Sequence, residues 1–401
     1  MLMLSLLFSG LSLASQTTKA EIWLAPQGLP QSPSSNVDFM QMFQPNAPWT
    51  FTASQTKVFL LYGGAGLANA PQRQVDTIVS DLNRRGITIA LTGEQFINPH
   101  TCDATPGNGP KLAERISKKI IAAGGDIKYL AMDEPLYWGR YGGIKNTGCH
   151  MSISDIIAVI TPSINVYRRY FPNIQVGEEE PIGNVSWANN WRDDYSNWVS
   201  SFQAAFGKPL AFVQLDIPLA NNYKRTGSQA NVDNAIAFYN EVRGLKDRNL
   251  IEQVGIIIDG SPIDTTDAAW VMDAQDHLLM WEDKHGFRPD QLIFQSWNLN
   301  PTHALPETSP ETLTSLIPFY INYLSGQLPP PVTSQVNGIV TAINGTTLTV
   351  TGQFNGNCYT VDASHASSNV PFSGIRVGDL LMIGGNFKGL IITASQIRDT
   401  R

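Results

Sequence analysis

The sequence predicts an α/β protein in which a (β/α)8 TIM barrel is followed by a small all-β domain, either an OB-like barrel or a sandwich. Three observations support this fold class. Eight short apolar segments alternate with segments of helical periodicity, a proline-rich segment follows, and beyond it the hydrophobic period changes to two. An open doubly wound sheet shares the alternation but usually carries a glycine-rich phosphate loop after its first strand, and Pro26–Pro30 is not such a loop.

Each predicted barrel strand is a short, mostly apolar run, and the segments between the strands carry apolar residues at helical spacing. Gly86 follows the first predicted helix, as is common at helix C-termini, and Ser309 with Pro310 predicts the start of the last one. The predicted strands are Ile22–Pro26, Lys57–Gly64, Ile87–Glu94, Tyr129–Met132, Ile174–Pro181, Leu210–Pro218, Val254–Gly260 and Gln291–Asn298. The predicted helices are Gln72–Arg85, Lys111–Ala123, Ser154–Phe171, Asp194–Phe206, Val232–Arg248, Thr266–His285 and Glu311–Leu324.

Composition divides the chain into four parts. Residues 1–20 are predicted to be a signal peptide, because Met1–Ala14 is apolar but too short to span a bilayer. Residues 21–326 form the predicted barrel domain, 327–333 a stiff proline-rich linker and 334–401 the β-domain. We therefore expect a secreted protein, extracellular or periplasmic, whose mature chain has no membrane span.

The C-terminal domain begins with a predicted hairpin, Val336–Thr351, whose strands meet at an Asn-Gly turn. Its segments Gly338–Val350, Tyr359–Ser364 and Val377–Leu380 resemble a family of small, functionally uncharacterised β-domains found on bacterial exported proteins. The resemblance implies a location outside the cytoplasm more than an activity.

Charge and cysteine usage exclude some classes of function. The net charge is −7 and no cluster of Lys and Arg occurs, which argues against a nucleic-acid partner. Cys102 follows the third predicted strand and Cys149 the fourth, so both lie in neighbouring loops at one mouth of the barrel and are predicted to form a disulfide. Cys358 is left single, and the absence of metal-ligand spacings predicts no metal site.

Acidic and aromatic residues recur where the predicted strands end. In a parallel barrel, the C-terminal strand ends converge on one mouth, so these side chains should surround whatever binds there. Divalent metals and sugars both suit such a site, and the aromatic residues favour sugars. The residues are Tyr62, Glu94, Asp133, Glu134, Glu178, Glu179, Glu180, Asp216, Asp259, Trp297 and Asn298.

The sequence Asp133-Glu134-Pro135 resembles the Asn-Glu-Pro motif of the large clan of (β/α)8 glycoside hydrolases whose general acid/base closes strand four. The resemblance covers the barrel and implies that Glu134 is the acid/base. Asp133 stands where the clan has Asn, and Asp259 closes strand seven where the clan has its nucleophilic Glu. We therefore predict Glu134, Glu180 and Asp259 as catalytic residues, with Asp216 a further candidate for the second carboxylate.

The predicted function is cleavage of glycosidic bonds in a polysaccharide or oligosaccharide by a secreted monomer that needs no cofactor. Two alternatives remain open: a non-catalytic carbohydrate-binding or cell-envelope protein, and a metal-dependent hydrolase or lyase. The predicted substrate-binding residues are Asp38, Tyr62, Glu94, Asp133, Trp138, Glu178, Asp216, Trp297, Asn298 and His303.

Overall fold

Eight parallel strands close into a barrel, with β1 paired to both β2 and β8. This computed structural model describes residues 20–28, 36–93, 96–97, 102, 109–141, 149–181, 190–217, 229–261, 264–325, 335–352, 358–388 and 390–399. Strands β1–β8 span Glu21–Ala25, Val58–Tyr62, Thr88–Gly93, Ile127–Asp133, Gln175–Pro181, Val213–Asp216, Val254–Ile258 and Gln291–Gln295. The predicted (β/α)8 architecture is confirmed.

Helices surround the barrel and pack on the outward-facing side chains of its strands. Helices α1–α9 span Thr50–Gln55, Gly64–Asn69, Gln72–Arg85, Pro110–Ala122, Ile153–Tyr170, Trp191–Phe206, Gln229–Asp247, Asp267–Leu279 and Leu316–Leu324. Short 3-10 or π-helical turns occur at Phe39–Phe43, Tyr137–Tyr141, Met280–Lys284 and Leu313–Ser315. Among the described residues, no helix has the length and apolar character needed to cross a membrane.

The lower half of the barrel interior is filled by a separate apolar core. Trp23, Tyr129 and Phe212 meet there with ring centroids 5.0–6.0 Å apart. Gly177 leaves room for this cluster, since a Cβ at that position would lie 2.5 Å from the Phe212 ring. Because successive strand residues point to opposite faces, this core identifies which side chains of each strand point inward.

The last helix begins later than the sequence predicts. Ser309 and Pro310 lie in turns, and α9 starts at Leu316 after a 3-10 turn. The reason is a set of long-range bonds: the backbone N–H groups of Leu313 and Thr314 donate to the carbonyls of the loop after β8, at 3.2 and 3.1 Å. Donors engaged in this way are not available to an earlier helical turn.

The C-terminal domain is a small barrel with its own apolar core. Five strands pair in the closed order β9-β10-β11-β14-β13 and back to β9, and a two-residue strand, β12, adds to β14. This is the five-stranded arrangement expected of an OB-like domain. Strands β9–β14 span Gln335–Asn344, Thr347–Gly352, Cys358–Asp362, Ser367–Ser368, Leu380–Lys388 and Ile391–Asp399.

A buried polar contact joins the two domains. The side-chain amide of Asn337 on β9 donates to both carboxylate oxygens of Asp273 on α8, each at 3.2 Å. Cys102 and Cys149 form the predicted disulfide, and Cys358 is exposed and outside any disulfide. The predicted linker 327–333 and residues 1–19 of the predicted signal peptide lie outside the described residues.

Candidate active site

Strand register brings acids from four strands to the inner surface of the mouth. Tyr129 and Ala131 belong to the inner core, so Asp133, two residues further on β4, points inward as well. Asp133 is the register partner of Glu179 on β5, and Glu179 is the partner of Gln214 on β6. The same alternation turns Asp216 and Asp259 inward on β6 and β7. These four carboxyl groups form the inner acid ring.

Glu134 leaves the strand geometry at the point where β4 ends. Its φ is +50°, in the left-handed region that non-glycine residues seldom adopt, while its N–H still donates to the Glu179 carbonyl at 2.9 Å. Its carbonyl accepts from the N–H of Trp138 at 2.9 Å. The side chain is partly exposed, and burial together with the charges of Asp133 and Asp216 raises the pKa of the carboxyl well above its usual value.

Glu180 supports the turn that carries Glu134. It is fully buried, and its Oε1 accepts the backbone N–H of Leu136 at 2.9 Å. Its Oε2 has no hydrogen-bond donor among the described residues. Burial and the charge of Glu178 raise its pKa well above the usual value. The predicted catalytic Glu180 therefore lies behind the turn rather than at the accessible surface of the mouth.

Glu178 points away from the mouth, which corrects the prediction that it contacts substrate. The phenol of Tyr195 donates to its Oε1 at 2.6 Å, and the indole N–H of Trp198 donates to its Oε2 at 2.7 Å. Both donors come from α6, because even-numbered residues of β5 face the helices. Burial raises the pKa of Glu178 to about 7, and the two hydrogen bonds oppose that rise.

Asp259 is held between an indole and an imidazole. Trp297 donates its Nε1–H to Asp259 Oδ2 at 3.0 Å. On the other side, His277 Nδ1 lies 3.1 Å from the Asp259 carbonyl oxygen and 3.4 Å from Oδ1. Asp259 is 3% exposed and His277 is fully buried, so this arrangement fixes the position of Trp297 at the mouth.

Tyr62 and Gln295 complete the wall of the mouth on the β2 and β8 side. The Tyr62 hydroxyl donates to the Ser296 carbonyl at 3.1 Å, and Gln295 hydrogen-bonds both Tyr62 and Glu179. Burial, followed by the charge of Glu179, raises the pKa of Tyr62 well above its usual value. Tyr62 is therefore a neutral hydrogen-bonding group at any pH near neutrality.

Two other residues that were predicted to contact substrate, Asp38 and Asn298, form hydrogen bonds to backbone groups of the protein. Asp38 is 4% exposed, and its two oxygens accept the N–H groups of Ala304 and Leu305 at 2.8 and 2.9 Å. It braces the loop after β8, which corrects its assignment as a sugar ligand. Asn298 is also buried and donates to the Gly260 carbonyl at 3.5 Å.

The other residues that were predicted to contact substrate are His303, Trp138 and Glu94. His303 is half exposed, with Nδ1 2.8 Å from the Thr302 hydroxyl, outside the inner acid ring. Trp138 lies in the π-helical turn after Glu134 and packs edge-on against Tyr137, with ring centroids 4.8 Å apart. Glu94 lies outside the described residues.

Gln295 and His277 were not among the predicted residues of the site, and Glu179 was predicted as a strand-end acid but not as a catalytic or substrate-binding residue. Strand parity could have found Glu179 and Gln295, because they fall on the same face as the inward residues of their strands. Nothing in the sequence marks His277, which sits in a helix that is buried along most of its length.

The combined electrostatics allow acid and base chemistry in one place. Burial raises the pKa values of Glu134, Glu179, Glu180 and Asp216, and neighbouring carboxylates raise them further. Closely spaced carboxyl groups cannot all ionise, so near neutrality the group contains protonated and ionised members together. Among the described residues, no three His, Cys, Asp or Glu side chains are arranged to ligate one metal ion.

Comparison with known proteins finds distant structural similarities and no sequence match. No protein-family model and no curated protein sequence matches the chain. An old yellow enzyme homologue from Zymomonas mobilis is 11% identical with a TM-score of 0.44, covering 77% of this chain and 90% of that one. A thermostable xylanase mutant from Cellvibrio japonicus is 11% identical with a TM-score of 0.41, covering 70% and 87%. An aldolase from Desulfitobacterium hafniense is 11% identical with a TM-score of 0.35, covering 78% and 94%.

Proposed function

We propose that the protein is a secreted glycoside hydrolase whose reaction takes place at the C-terminal mouth of the barrel. The observation that carries this proposal is that the carboxyl groups at the mouth differ in solvent exposure. Glu134, Asp133 and Asp216 are partly exposed, whereas Glu179, Glu180 and Asp259 are buried behind them. Glycosidic cleavage needs one protonated and one ionised carboxyl beside the scissile bond, and this group can supply both.

Glu134 is the proton donor in this proposal. Its raised pKa keeps the carboxyl protonated at a pH where an isolated glutamate would be ionised. It transfers this proton to the glycosidic oxygen as the bond from that oxygen to the anomeric carbon breaks. The electron pair of the broken bond stays on the leaving oxygen, and positive charge develops on the sugar ring.

Asp216 is the proposed second carboxylate. It is partly exposed, and its charge is among the causes of the raised pKa of Glu134. Glu180 and Asp259 suit the role less well, because Glu180 already binds Leu136 and Asp259 already binds Trp297. Asp216 then either attacks the anomeric carbon or removes a proton from the attacking water, depending on the separation of the two carboxyl groups.

Aromatic residues around the acids suit a sugar. Trp297 and Tyr62 stand on one side of the mouth, and Tyr137 and Trp138 on the other, all partly exposed. Flat rings stack on the apolar faces of pyranose rings, while carboxylates and amides bind the hydroxyl groups. The disulfide between Cys102 and Cys149 is compatible with an extracellular or periplasmic location, which we include in the proposal.

The test is release of reducing ends from a panel of polysaccharides and oligosaccharides. Glu134→Gln keeps the shape of the side chain but removes the transferable proton, and we expect activity to fall about 10²- to 10⁴-fold. Glu282→Gln is the matched control, since Glu282 is another buried glutamate whose pKa burial raises to about 7, hydrogen-bonded to Tyr320 rather than to the mouth. It should retain activity.

A non-catalytic carbohydrate-binding protein is the second candidate, and the motif departures at Asp133 and Asp259 favour it. In that case glycans bind, but the wild type and Glu134→Gln release the same background amount of reducing ends. Equal release above background by the wild type and Glu134→Gln would contradict the role of Glu134 as the proton donor.

A further inference from the structure

The mouth of the barrel carries an excess of hydrogen-bond acceptors without donors. Three buried oxygen atoms there have no hydrogen-bond donor among the described residues: Glu179 Oε1, Asp216 Oδ1 and Gln295 Oε1. Gln295 is 5% exposed and contacts Glu179 and Tyr62, so its free carbonyl oxygen belongs to the same cluster. Buried acceptors of this kind normally have a donor, from protein, water or ligand.

In the described part of the chain, no Lys or Arg side chain forms an ion pair with Glu179 or Asp216, and the basic side chain of His277 lies on the other side of Asp259, 3.4 Å from its Oδ1. The charged groups that shift the pKa values of Glu179 and Asp216 are carboxylates. Arg140, in the turn after β4, is engaged elsewhere: its Nε donates to Asp194 at 2.9 Å and its Nη1 to the Met151 carbonyl at 3.3 Å. Buried carboxyl groups without a Lys or Arg partner favour a ligand that brings a positive charge.

We propose that this site binds the protonated amino group of an amino sugar, so that the substrate is a glycan with free, non-acetylated amines. The inference rests on the proposed function and names its substrate class. An ammonium group supplies three hydrogen-bond donors and one positive charge, which matches several neighbouring acceptor oxygens better than a neutral hydroxyl group does.

The surroundings support an organic ammonium group over a metal ion. A metal site formed by the protein alone, such as a Ca²⁺ site, places several ligands around one point, and no three of the described His, Cys, Asp and Glu side chains are arranged in that way. Trp297 and Tyr62 flank the cluster, and the face of an aromatic ring attracts a cation as well as the apolar face of a sugar.

Binding is tested with the full chain and matched oligosaccharides. Oligomers of glucosamine and of galactosamine are compared with their N-acetylated forms by isothermal titration calorimetry at about pH 6, where the amines are protonated. We expect the free-amine forms to bind at least about tenfold more tightly, and this preference to shrink in about 0.5 M sodium chloride. Binding should also release protons, seen as a dependence of the measured heat on the buffer, because an ammonium group favours ionisation of the acids.

Two variants test whether the preference for the amine arises at this cluster of acceptor oxygens. Glu179→Gln removes one of the acceptor charges and should reduce the preference for the amine about tenfold, while leaving affinity for the acetylated form less changed. If Glu179→Gln does not fold, as judged by circular dichroism, Gln295→Met provides the second test, since it removes a neutral amide, with its free carbonyl oxygen, at the same place. The preference should then weaken by a smaller factor.

The outcomes separate this inference from the hydrolase proposal. Equal affinity for amine and acetylated oligomers, preference for the acetylated forms, or no binding to any of them overturns the amino-sugar inference. If a neutral glycan is hydrolysed without amine preference, the hydrolase proposal stands and this inference fails. If amine oligomers bind selectively but no glycan is cleaved, this inference stands and the hydrolase proposal fails.

Discussion

Trp297 donates its indole N–H to the carboxylate of Asp259 at 3.0 Å, across the gap between β7 and β8. Asp259 is almost fully buried, and His277 on α8 lies on its other side. The aromatic wall of the mouth is thus oriented by an acid that solvent scarcely reaches. Asp259 stands where the resemblance to the hydrolase clan would place a nucleophile, but it has the contacts of a positioning residue.

The hydrogen bond between Trp297 and Asp259 predicts that substitutions at these two positions have non-additive effects on substrate affinity. Trp297→Phe keeps an aromatic face but removes the N–H, and Asp259→Asn weakens the acceptor. Each change alone should lower substrate affinity, and the double variant should lose less than the sum because the same bond is broken in both. We expect a coupling energy on the order of 1 kcal/mol in a double-mutant cycle of binding. Strict additivity would argue against the positioning role.

The raised pKa of Glu134 predicts the alkaline side of the pH–activity profile. Activity requires the protonated acid, so kcat/KM should fall as pH rises through the pKa of Glu134. The charge of Asp133 is the largest electrostatic cause of that raised pKa. Asp133→Asn should therefore shift the alkaline limb to lower pH, as measured by kcat/KM across a pH series.

Glu178→Gln serves as the control for this pH profile. Because Glu178 faces α6, this substitution should shift the alkaline limb much less than Asp133→Asn does. An unchanged limb in Asp133→Asn would show that a group other than Glu134 controls it.

The raised pKa of Glu178 predicts that the free energy of unfolding of the protein depends on pH. Its pKa is raised from 4.5 to about 7 in the folded protein. The folded state therefore holds the proton more tightly than the unfolded chain, so the related stability is complete below about pH 4.5 and is lost as pH rises through about 7. Glu178→Gln mimics the protonated acid and should remove this loss, on the order of 3 kcal/mol, from denaturation curves measured across that range. Parallel pH profiles for the wild type and Glu178→Gln would contradict the assignment.

The bond from Leu136 to Glu180 predicts a difference between two substitutions. Glu180→Gln retains an oxygen that can accept the buried N–H, whereas Glu180→Leu leaves that donor unsatisfied. We expect the Leu variant to be less stable than the Gln variant by about 1–3 kcal/mol in chemical denaturation. Because the N–H belongs to the turn after Glu134, the Leu variant should also lose more activity. Equal stability of the two variants would mean that this bond does not hold the turn.

The alternation of apolar and amphipathic segments was enough to predict the barrel, since eight βα units of this length have few other ways to bury their apolar faces. The disulfide followed from the same reasoning, because Cys102 and Cys149 were placed in neighbouring loops of one mouth. The period of two after residue 334 likewise predicted a small β-domain, either an OB-like barrel or a sandwich, and the structure has the closed five-stranded barrel.

The sequence by itself determined the fold class and placed acids at the strand ends, because hydrophobic periodicity and strand-end position are local properties of the chain. Only the tertiary structure decided what each acid does. Glu178 and Glu179 are adjacent in sequence, yet one binds α6 and the other joins the inner acid ring. Asp38 braces Leu305, far along the chain, and a positive φ separates Glu134 from its strand. These outcomes depend on which faces and loops meet when the barrel closes, and residue type alone does not specify that.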